Sequence, residues 1–551
     1  MEWIGLVVLI LAFIIATIII GKYLYNIIFN KKSFIDPVMD KVDSFIYKLA
    51  GIKNDEMNWK GYIKALLITN GVMIAIGFLL LVGQQLIAGT NEGRLDMNFH
   101  TALNTAVSFM TNTNLQDYTG ELNLTNISQM IVITVFMFTS AATGFAISGA
   151  FIRGITGRGI GNYYRDLIRI ITRLLIPVSI IASIILISQG VPQTLSSTKI
   201  VQTLEGNTQT IAYGPVASLE SIKHLGTNGG GFFGANSAHP FENPTPLTNV
   251  LEMFLMMLTP GAYIYVFGKA IKNKKAARMI FLVALFLFVI VIPVIYFAEL
   301  KGNPIFNSLG ITNSIGNMEG KEVRNGIFGS SLFSTVTTAF TTGSVNNMHD
   351  SLTPIGGAVT LWNMMLNCVF GGKGVGFINL ILYVIVGVFI CGLMIGRTPE
   401  FLRKKIEPKE MKLIGCIILI HPISILVPTA ISALFNQGSL DGFHGFTQML
   451  YQFTTSAANN GSGFEGLKDT TAFWNISTSA VMIIGRYVSM ILMLALASSL
   501  GFKKPISESA VSFKIDSVLF SGILLGTILI IGALTFMPVL VLGPLSEFLT
   551  M

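Results

Sequence analysis

Four short polar segments recur along the chain at nearly constant spacing. Each combines Thr, Asn, Gly or Ser, whose backbone and side-chain oxygens can replace the water molecules around a cation. Glycine adds backbone conformations that other residues avoid, so carbonyl groups can converge on one point. The first residues of the four tetrads lie 116, 114 and 118 residues apart. The tetrads are Thr111, Asn112, Thr113 and Asn114; Thr227, Asn228, Gly229 and Gly230; Thr341, Thr342, Gly343 and Ser344; and Asn459, Asn460, Gly461 and Ser462.

The sequence around each tetrad repeats as well. The same residue types are ordinary turn formers, so a single tetrad would indicate no more than a loop. Each tetrad, however, follows a segment that can form a short helix, and each lies between two long apolar stretches. The C-terminal end of a re-entrant helix carries partial negative charge, which favours a cation in the following loop. We therefore expect the four loops to close a ring around an ion path. The preceding segments are 103–110, 216–225, 331–340 and 446–457.

The apolar composition places nearly the whole chain in a bilayer. Of 551 residues, 52% are hydrophobic and only 12% are charged, which is not typical of a soluble protein. A transmembrane helix needs roughly 20 apolar residues. The stretches that qualify lie near 3–28, 63–88, 127–152, 167–189, 249–270, 277–299, 376–396, 412–436, 474–500 and 516–543.

These stretches predict an all-α integral membrane protein with about ten transmembrane helices. Four repeated helix–pore loop–helix units would form a pseudo-fourfold pore. The predicted divisions are an N-terminal transmembrane helix with a cytoplasmic loop at 1–62, pore repeats at 63–165, 166–275, 276–411 and 412–505, and a C-terminal transmembrane helix at 506–551.

The net charge of +8 indicates membrane topology rather than a nucleic-acid partner. Lys and Arg concentrate in the loops that follow every second predicted span and are sparse in 89–126, 190–248, 300–375 and 437–473. Because loops rich in Lys and Arg face the cytoplasm, we expect a multi-pass plasma-membrane protein with both termini outside. The basic group at the adjoining ends of the third and fourth predicted spans comprises Arg153, Arg158, Arg165, Arg169 and Arg173.

Arg486 lies near the centre of the predicted span 474–500 and is the only Lys or Arg that the predicted topology leaves inside the membrane. An ionisable residue at that depth is by default a functional hypothesis. A positive charge on the cytoplasmic side of a cation filter would oppose straight permeation, so Arg486 is a candidate gate or barrier. The alternative is a structural arginine that binds the carbonyl groups of a broken helix.

Other features near the tetrads leave more than one interpretation open. Gln116 is a candidate vestibule residue, or part of a solvated loop. The sequence GGKGVG at 371–376 follows an apolar segment, 358–370, that is too short to span. It would form a mobile gating loop or a simple re-entry turn. The isolated histidines, which we expect to be satisfied loop or helix residues rather than metal ligands, are His224, His349 and His421.

Several longer motifs make the chain recognisable, and the resemblance covers essentially its whole length. The chain resembles the potassium-transporting A subunit of bacterial Kdp pumps, a family within the channel-like superfamily of potassium transporters. The matching motifs are NTAVSFMTNTN at 104–114, GTNGGGFF at 226–233, NSAHPFENP at 236–244, Asn346 with Met348, His349 and Asp350, GLMIGRTPE at 392–400 and SAANNGS at 456–462.

The resemblance implies a functional setting that composition and spacing do not. It implies ten spans and a four-loop filter that selects K+ from outside. A P-type ATPase B subunit would hydrolyse ATP, while a C subunit and a small single-span F peptide complete the complex. It further implies that the ion leaves sideways through an intersubunit tunnel, and related transporters carry a gating arginine below the filter.

The chain itself contains no Asp-Lys-Thr-Gly phosphorylation loop and no Gly-x-x-x-x-Gly-Lys-[Ser/Thr] phosphate loop, so we expect no ATP site here. Two alternatives remain: a stand-alone K+ channel or symporter of the Trk/Ktr type, and a membrane enzyme. The enzyme would need a nucleophile or acid–base cluster, which the sequence does not display. Because the first tetrad lacks glycine, the predicted filter is not fully fourfold, and we expect a single tight site rather than a queue of ions.

Overall fold

Ten helices are long and apolar enough to cross a membrane, as the sequence predicted. The computed structural model describes residues 2–86, 94–305, 309–310, 315–372, 375–396, 398–506 and 514–551. Lys373 and Gly374 of the predicted loop, and Arg397, lie outside these residues. The ten helices, numbered here as spans 1 to 10, are Glu2–Ile28, Trp59–Val82, Asn126–Ile155, Tyr163–Ser188, Pro246–Ala270, Lys274–Lys301, Val375–Met394, Pro408–Leu434, Ala472–Phe502 and Val518–Thr550.

The outward faces of these spans are apolar. Large aliphatic side chains are more than half exposed along them, including Val8 and Leu11 in span 1 and Ile181 and Ile184 in span 4. A soluble protein rarely exposes contiguous apolar surface of this extent. Helices satisfy most of their own backbone polar groups, as a hydrocarbon environment requires. The fold is therefore that of an integral membrane protein.

Four shorter helices precede the four tetrads. Their bounds include almost all of the predicted segments, and the second helix matches its prediction to the residue. The first begins four residues early because the side chain of Asn98 accepts a hydrogen bond from the Thr101 N–H at 2.9 Å and so caps the helix. The helices, numbered here as pore helices 1 to 4, are Phe99–Met110, Val216–Leu225, Gly326–Ala339 and Gly442–Ala458.

The segment between the third tetrad and span 7 contains a short helix followed by a turn. It forms the 13-residue helix Pro354–Leu366, and Asn367 ends it in a left-handed conformation with φ +44°. The chain then turns at Gly371, where φ is +59°. The Gly372 N–H donates to Thr341 Oγ1 at 2.7 Å, so this turn lies directly against the third tetrad.

Two arginines of the basic group 153–173 are buried within span helices, where carboxylates pair with both. Arg153 lies in span 3 and pairs with Asp166 at 2.5 Å. Arg173 lies in span 4 with no exposed side-chain surface. Its guanidinium meets three carboxylates of a helix that the sequence pattern did not predict, Asp36–Leu49, and these partners make its burial possible. The partners are Asp36 at 2.9 Å, Asp40 at 2.5 Å and Asp43.

The remaining elements are small. Two antiparallel hairpins pair Thr198–Gln202 with Thr208–Ala212 and Glu400–Phe401 with Lys404–Lys405. Short helical turns lie at Gln84–Leu86, Gly120–Asn123, Asn236–Ala238 and His349–Ser351. Because neither hairpin extends into a larger sheet among the described residues, the all-α class predicted from the sequence is confirmed.

Candidate ion-selectivity site

The four tetrads begin within two residues of the ends of their pore helices. Every tetrad residue except Gly461 is buried. The partial negative charges of four helix C-terminal ends are therefore directed at four adjacent loops, an arrangement that favours a cation between them.

Side-chain amides connect the first tetrad to both of its neighbours. Asn112 Nδ2 donates to the Thr227 carbonyl at 2.8 Å, which links the first tetrad to the second. Asn459 Nδ2 donates to Thr113 Oγ1 at 2.9 Å, which links the fourth tetrad to the first. These two hydrogen bonds hold three of the four loops together.

Close backbone packing completes the ring. A Cβ atom added to Gly229 would lie 2.9 Å from the Thr342 carbonyl oxygen and 3.1 Å from the Asn460 carbonyl oxygen. A Cβ atom added to Gly343 would overlap the same Asn460 oxygen, and one added to Gly461 would overlap the Thr113 oxygen. Only glycine permits such an approach. The tetrads thus form a closed ring, with carbonyl oxygens of three loops close to glycines of their neighbours.

Left-handed backbone conformations turn each loop, and the first loop achieves this without glycine. Gly343 and Gly461 have φ values of +90° and +107°. In the first tetrad Asn112 and Asn114 take the corresponding conformation, with φ values of +59° and +62°. Asparagine tolerates this region better than other side chains do. The absence of glycine in the first tetrad therefore changes the residue type but not the type of turn.

Threonines of the pore helices fix the third and fourth loops in the same way. The Gly343 N–H donates to Thr337 Oγ1 at 2.9 Å, and the Gly461 N–H donates to Thr455 Oγ1 at 2.9 Å. Asn460 Nδ2 also donates to the Thr337 carbonyl at 2.9 Å. In both loops the acceptor precedes the glycine by six residues, which is direct structural evidence of internal repetition.

One side of the ring opens into a cavity of about 410 Å³, called here the mouth cavity. Gln116 lines it and joins two loops, because its side chain accepts from the Gly231 N–H at 2.8 Å and donates to the Gly231 carbonyl at 3.1 Å. No Lys or Arg is among the described residues that line the cavity, and the carboxylates there favour cations. The acidic lining residues are Asp117, Glu121, Glu465 and Asp469.

Arg486 lies on the opposite side of the ring. It lines a cavity of about 40 Å³, called here the rear cavity, together with Thr341 and Asn459 of two tetrads. Its Nη2 donates to the Ser140 carbonyl at 3.0 Å, whereas its Nε meets no acceptor among the described residues. The arginine thus binds a carbonyl group, as a structural residue would, and also places a positive charge directly behind the ring.

The rear cavity continues sideways. A second cavity of about 40 Å³ shares four lining residues with it and reaches spans 8 and 10 at Pro422 and Thr535. The two cavities thus form a series that leads from the ring towards spans 8 and 10. The shared residues are Asn367, Asn379, Ile417 and His421.

A buried charge cluster supports the second and third loops, and sequence reasoning missed it. Lys223 Nζ lies 2.7 Å from Glu242, 3.0 Å from Glu220 and 3.0 Å from Ser237 Oγ. All three charged side chains have no exposed surface. Glu242 also accepts from the Phe233 N–H at 2.7 Å, which ties the cluster to the chain just beyond the second tetrad. The i, i+3 spacing of Glu220 and Lys223 on a pore helix was the available signal.

His224 belongs to this cluster, so the prediction that it is isolated is wrong. Its Nε2 lies 2.9 Å from Ser344 Oγ of the third tetrad and 3.3 Å from Glu252. The ligand atoms of Glu220, His224 and Glu252 lie within 4.8 Å of one another. The cluster therefore connects pore helix 2 to the third tetrad. The other two histidines also form hydrogen bonds: His349 Nδ1 with Tyr451 Oη at 2.8 Å and His421 Nε2 with the Met364 carbonyl at 3.1 Å.

A bundle of ten spans around four re-entrant loops defines a multi-pass membrane protein with a cation-selective type of pore. The family described as the potassium-transporting ATPase A subunit (KdpA) matches residues 7–549, and the chain belongs to this family.

Relatives from three bacteria carry consistent names. Two proteins named potassium-transporting ATPase potassium-binding subunit are each 54% identical to the chain. The one from Geobacillus kaustophilus aligns over 98% of both chains, and the one from Clostridium acetobutylicum over 100% of both. A Staphylococcus aureus protein named potassium-binding subunit 2 is 50% identical over 98% of this chain and 99% of its own length.

The fold is also found in a solved structure. The potassium transporter TrkH from Vibrio parahaemolyticus superposes with a TM-score of 0.53, covering 81% of this chain and 87% of that one. At 12% sequence identity this likeness concerns the fold alone.

Proposed function

We propose that the chain binds and selects K+ from the extracellular side as the potassium-binding subunit of an ATP-driven, high-affinity K+ uptake complex. The observation that carries this proposal is the closed ring of four tetrads, in which glycine-dependent packing brings carbonyl oxygens of separate repeats together. The sixteen tetrad residues form the filter, with K+ as the transported ion. Gln116 belongs to the outer vestibule, and Arg486 is the barrier behind the filter.

The partners in this proposal are a P-type ATPase B subunit, a C subunit and a small single-span F peptide. The names of the relatives support a complex of this kind, because they describe a potassium-binding subunit of a potassium-transporting ATPase. In this proposal the B subunit hydrolyses ATP, since this sequence carries neither the Asp-Lys-Thr-Gly phosphorylation loop nor the Gly-x-x-x-x-Gly-Lys-[Ser/Thr] phosphate loop. The lateral series of cavities and the charge of Arg486 favour a sideways exit towards that partner.

The orientation follows from charge. The protein lies in the bacterial plasma membrane with the mouth cavity and both termini outside, because the loops on the opposite side carry most of the Lys and Arg. The repeat divisions proposed from the sequence agree with one pore helix in each of 63–165, 166–275, 276–411 and 412–505.

Uptake of radioactive Rb+ into proteoliposomes tests whether K+ transport by this chain depends on its ATPase partners and on ATP. The chain alone is compared with the chain co-purified with its ATPase partners, with and without ATP. We expect uptake only with partners and ATP. ATP-independent flux by the chain alone would instead identify a channel or symporter of the Trk/Ktr type and would refute the proposal.

A substitution tests the filter itself. Gly229→Asp adds a charged side chain where even a Cβ atom lies 2.9 Å from a carbonyl oxygen of the next loop. We expect weaker K+ affinity or loss of discrimination among ions, measured as the K+ and Na+ dependence of ATPase activity in the complex. Unchanged affinity and selectivity would contradict the filter assignment.

A further inference from the structure

Two carboxyl groups from different repeats meet at the entrance to the ring. Asp117 lies three residues after the first tetrad, and Asp469 lies seven residues after the fourth. Both line the mouth cavity. Asp117 is nevertheless only 5% exposed, so its charge lies in a largely desolvated position.

Asp117 has no protein partner that would stabilise its charge. Neither carboxylate oxygen meets an N–H or O–H donor among the described residues. Its close neighbour is the Asp469 carboxyl, which accepts one hydrogen bond from Gln452 Nε2 at 2.9 Å. A buried carboxylate without a compensating partner is strongly unfavourable. The pair therefore needs either a shared proton or a cation.

A third oxygen donor points to the cation. Asn114 lines the same cavity and has no exposed surface, yet neither Oδ1 nor Nδ2 has a hydrogen-bond partner among the described residues. An amide oxygen and two carboxylates are ligands that suit hard cations. A proton shared between the carboxyls would leave the asparagine oxygen unsatisfied, whereas a cation would use all three groups.

We propose that Asn114, Asp117 and Asp469 form a K+ site at the entrance of the filter, in which the ion loses part of its hydration shell before it enters the ring. The inference rests on the proposed function and adds two acidic ligands that lie outside the tetrads. It predicts that Asp117 and Asp469 contribute to the apparent affinity for K+ without affecting the discrimination between K+ and Na+, which depends on the ring.

Two other acidic residues of the mouth cavity provide matched controls. Glu121 is already satisfied, because its Oε2 accepts from the Gly234 N–H at 2.8 Å. Glu465 lines the cavity but is exposed. Glu121→Gln and Glu465→Gln each remove one carboxyl group from the cavity, as Asp117→Asn does, without altering the proposed ligands.

The experiment uses the complete complex and measures ATPase activity against K+ concentration, together with equilibrium binding of Rb+. We expect Asp117→Asn and Asp469→Asn to raise the K+ concentration for half-maximal activity about tenfold with maximal activity retained. Asp117→Glu should recover most of the affinity. The two control variants should shift the K+ concentration for half-maximal activity by less than about twofold.

Three results would overturn the inference. An unchanged K+ concentration for half-maximal activity in Asp117→Asn would mean that Asp117 and Asp469 share a proton instead of binding K+. Equal shifts in all four charge-removing variants, abolished by added choline chloride, would mean that the cavity acts only through its summed charge. Inhibition of the wild type by Ca²⁺ that Asp117→Asn relieves would assign the site to a divalent cation. Failure of the proposed function would differ from all three, because the wild-type complex would then show no K+-stimulated ATPase activity.

Discussion

Gly343→Ala tests whether the geometry of the ring determines K+ affinity. Gly343 has φ +90°, and its added Cβ would overlap the Asn460 carbonyl oxygen and lie 2.9 Å from the Gly461 Cα. Both contacts are with backbone atoms, which cannot rotate away as a flexible side chain could. The methyl group must therefore displace the fourth loop or change the conformation of the third.

The expected magnitude follows from these two effects. A left-handed conformation costs a non-glycine residue roughly 1–2 kcal/mol. If the folded protein relieves that strain by moving a carbonyl oxygen out of the ring, K+ binding loses a comparable free energy. Since about 1.4 kcal/mol corresponds to a factor of ten, we expect K+ affinity to fall by about 5- to 30-fold.

The assay is Rb+ binding to the purified complex, with the K+ and Na+ dependence of ATPase activity as the second measurement. Gly463→Ala is the matched control, because nothing lies within 4 Å of its added Cβ and its φ is not positive. Wild-type affinity and selectivity in Gly343→Ala, or equal impairment in Gly463→Ala, would refute the argument from ring geometry. A thermal unfolding curve for each variant separates loss of affinity from loss of fold.

Three further predictions concern charged groups around the ring. Arg486→Gln removes the positive charge behind the filter, so Rb+ should leak through the complex in proteoliposomes without ATP; unchanged flux would contradict the barrier role. Glu242→Gln removes one carboxylate from a fully buried cluster of charged side chains, and breaking a buried pair is strongly destabilising. We expect the free energy of unfolding to fall by about 3 kcal/mol, with a lower unfolding temperature and weaker K+ discrimination. Burial lowers the pKa of His444, but Asp350 and Glu547 outweigh it and raise the pKa to about 10. The folded-state pKa is thus above the usual value, so this stabilisation is complete below about pH 6.5 and is lost as the pH rises towards 10. His444→Gln should flatten the fall in unfolding temperature between pH 7 and pH 10, and an unchanged slope would count against it.

The spans were predictable because a long apolar segment has few other stable environments. Pore helix 2 was predictable to the residue because polar turn residues follow it directly. Pore helix 3 begins at Gly326, five residues before the predicted 331, because serine and glycine in its first turns resemble a loop in composition. Local sequence thus fixes the type of each element better than its first residue.

Long-range partners explain what the sequence did not reveal. Asp36 and Arg173 are 137 residues apart in the chain, yet their pairing buries an arginine that composition assigned to a loop. His224 appeared isolated because Ser344 is 120 residues away. The pairing of Asp117 with Asp469 likewise joins the first repeat to the fourth. None of these contacts has a local signature, since each depends on how the repeats close into a ring.

The four repeats reach one ring geometry by different chemistry. Asparagines take the left-handed conformation in the first loop, and glycines held by threonines do so in the third and fourth loops. The second loop is supported by a cluster of buried charged side chains. A pore of four identical chains would have to repeat any buried ion cluster four times, whereas a single chain can place it in one quadrant. Here the cluster reaches the third tetrad through Ser344, and the amides of Asn112 and Asn459 join the loops on the other side. An asymmetric ring of this kind suits one well-defined K+ position better than a series of equivalent positions, and tight binding rather than rapid flow is what a subunit serving an ATP-driven partner requires.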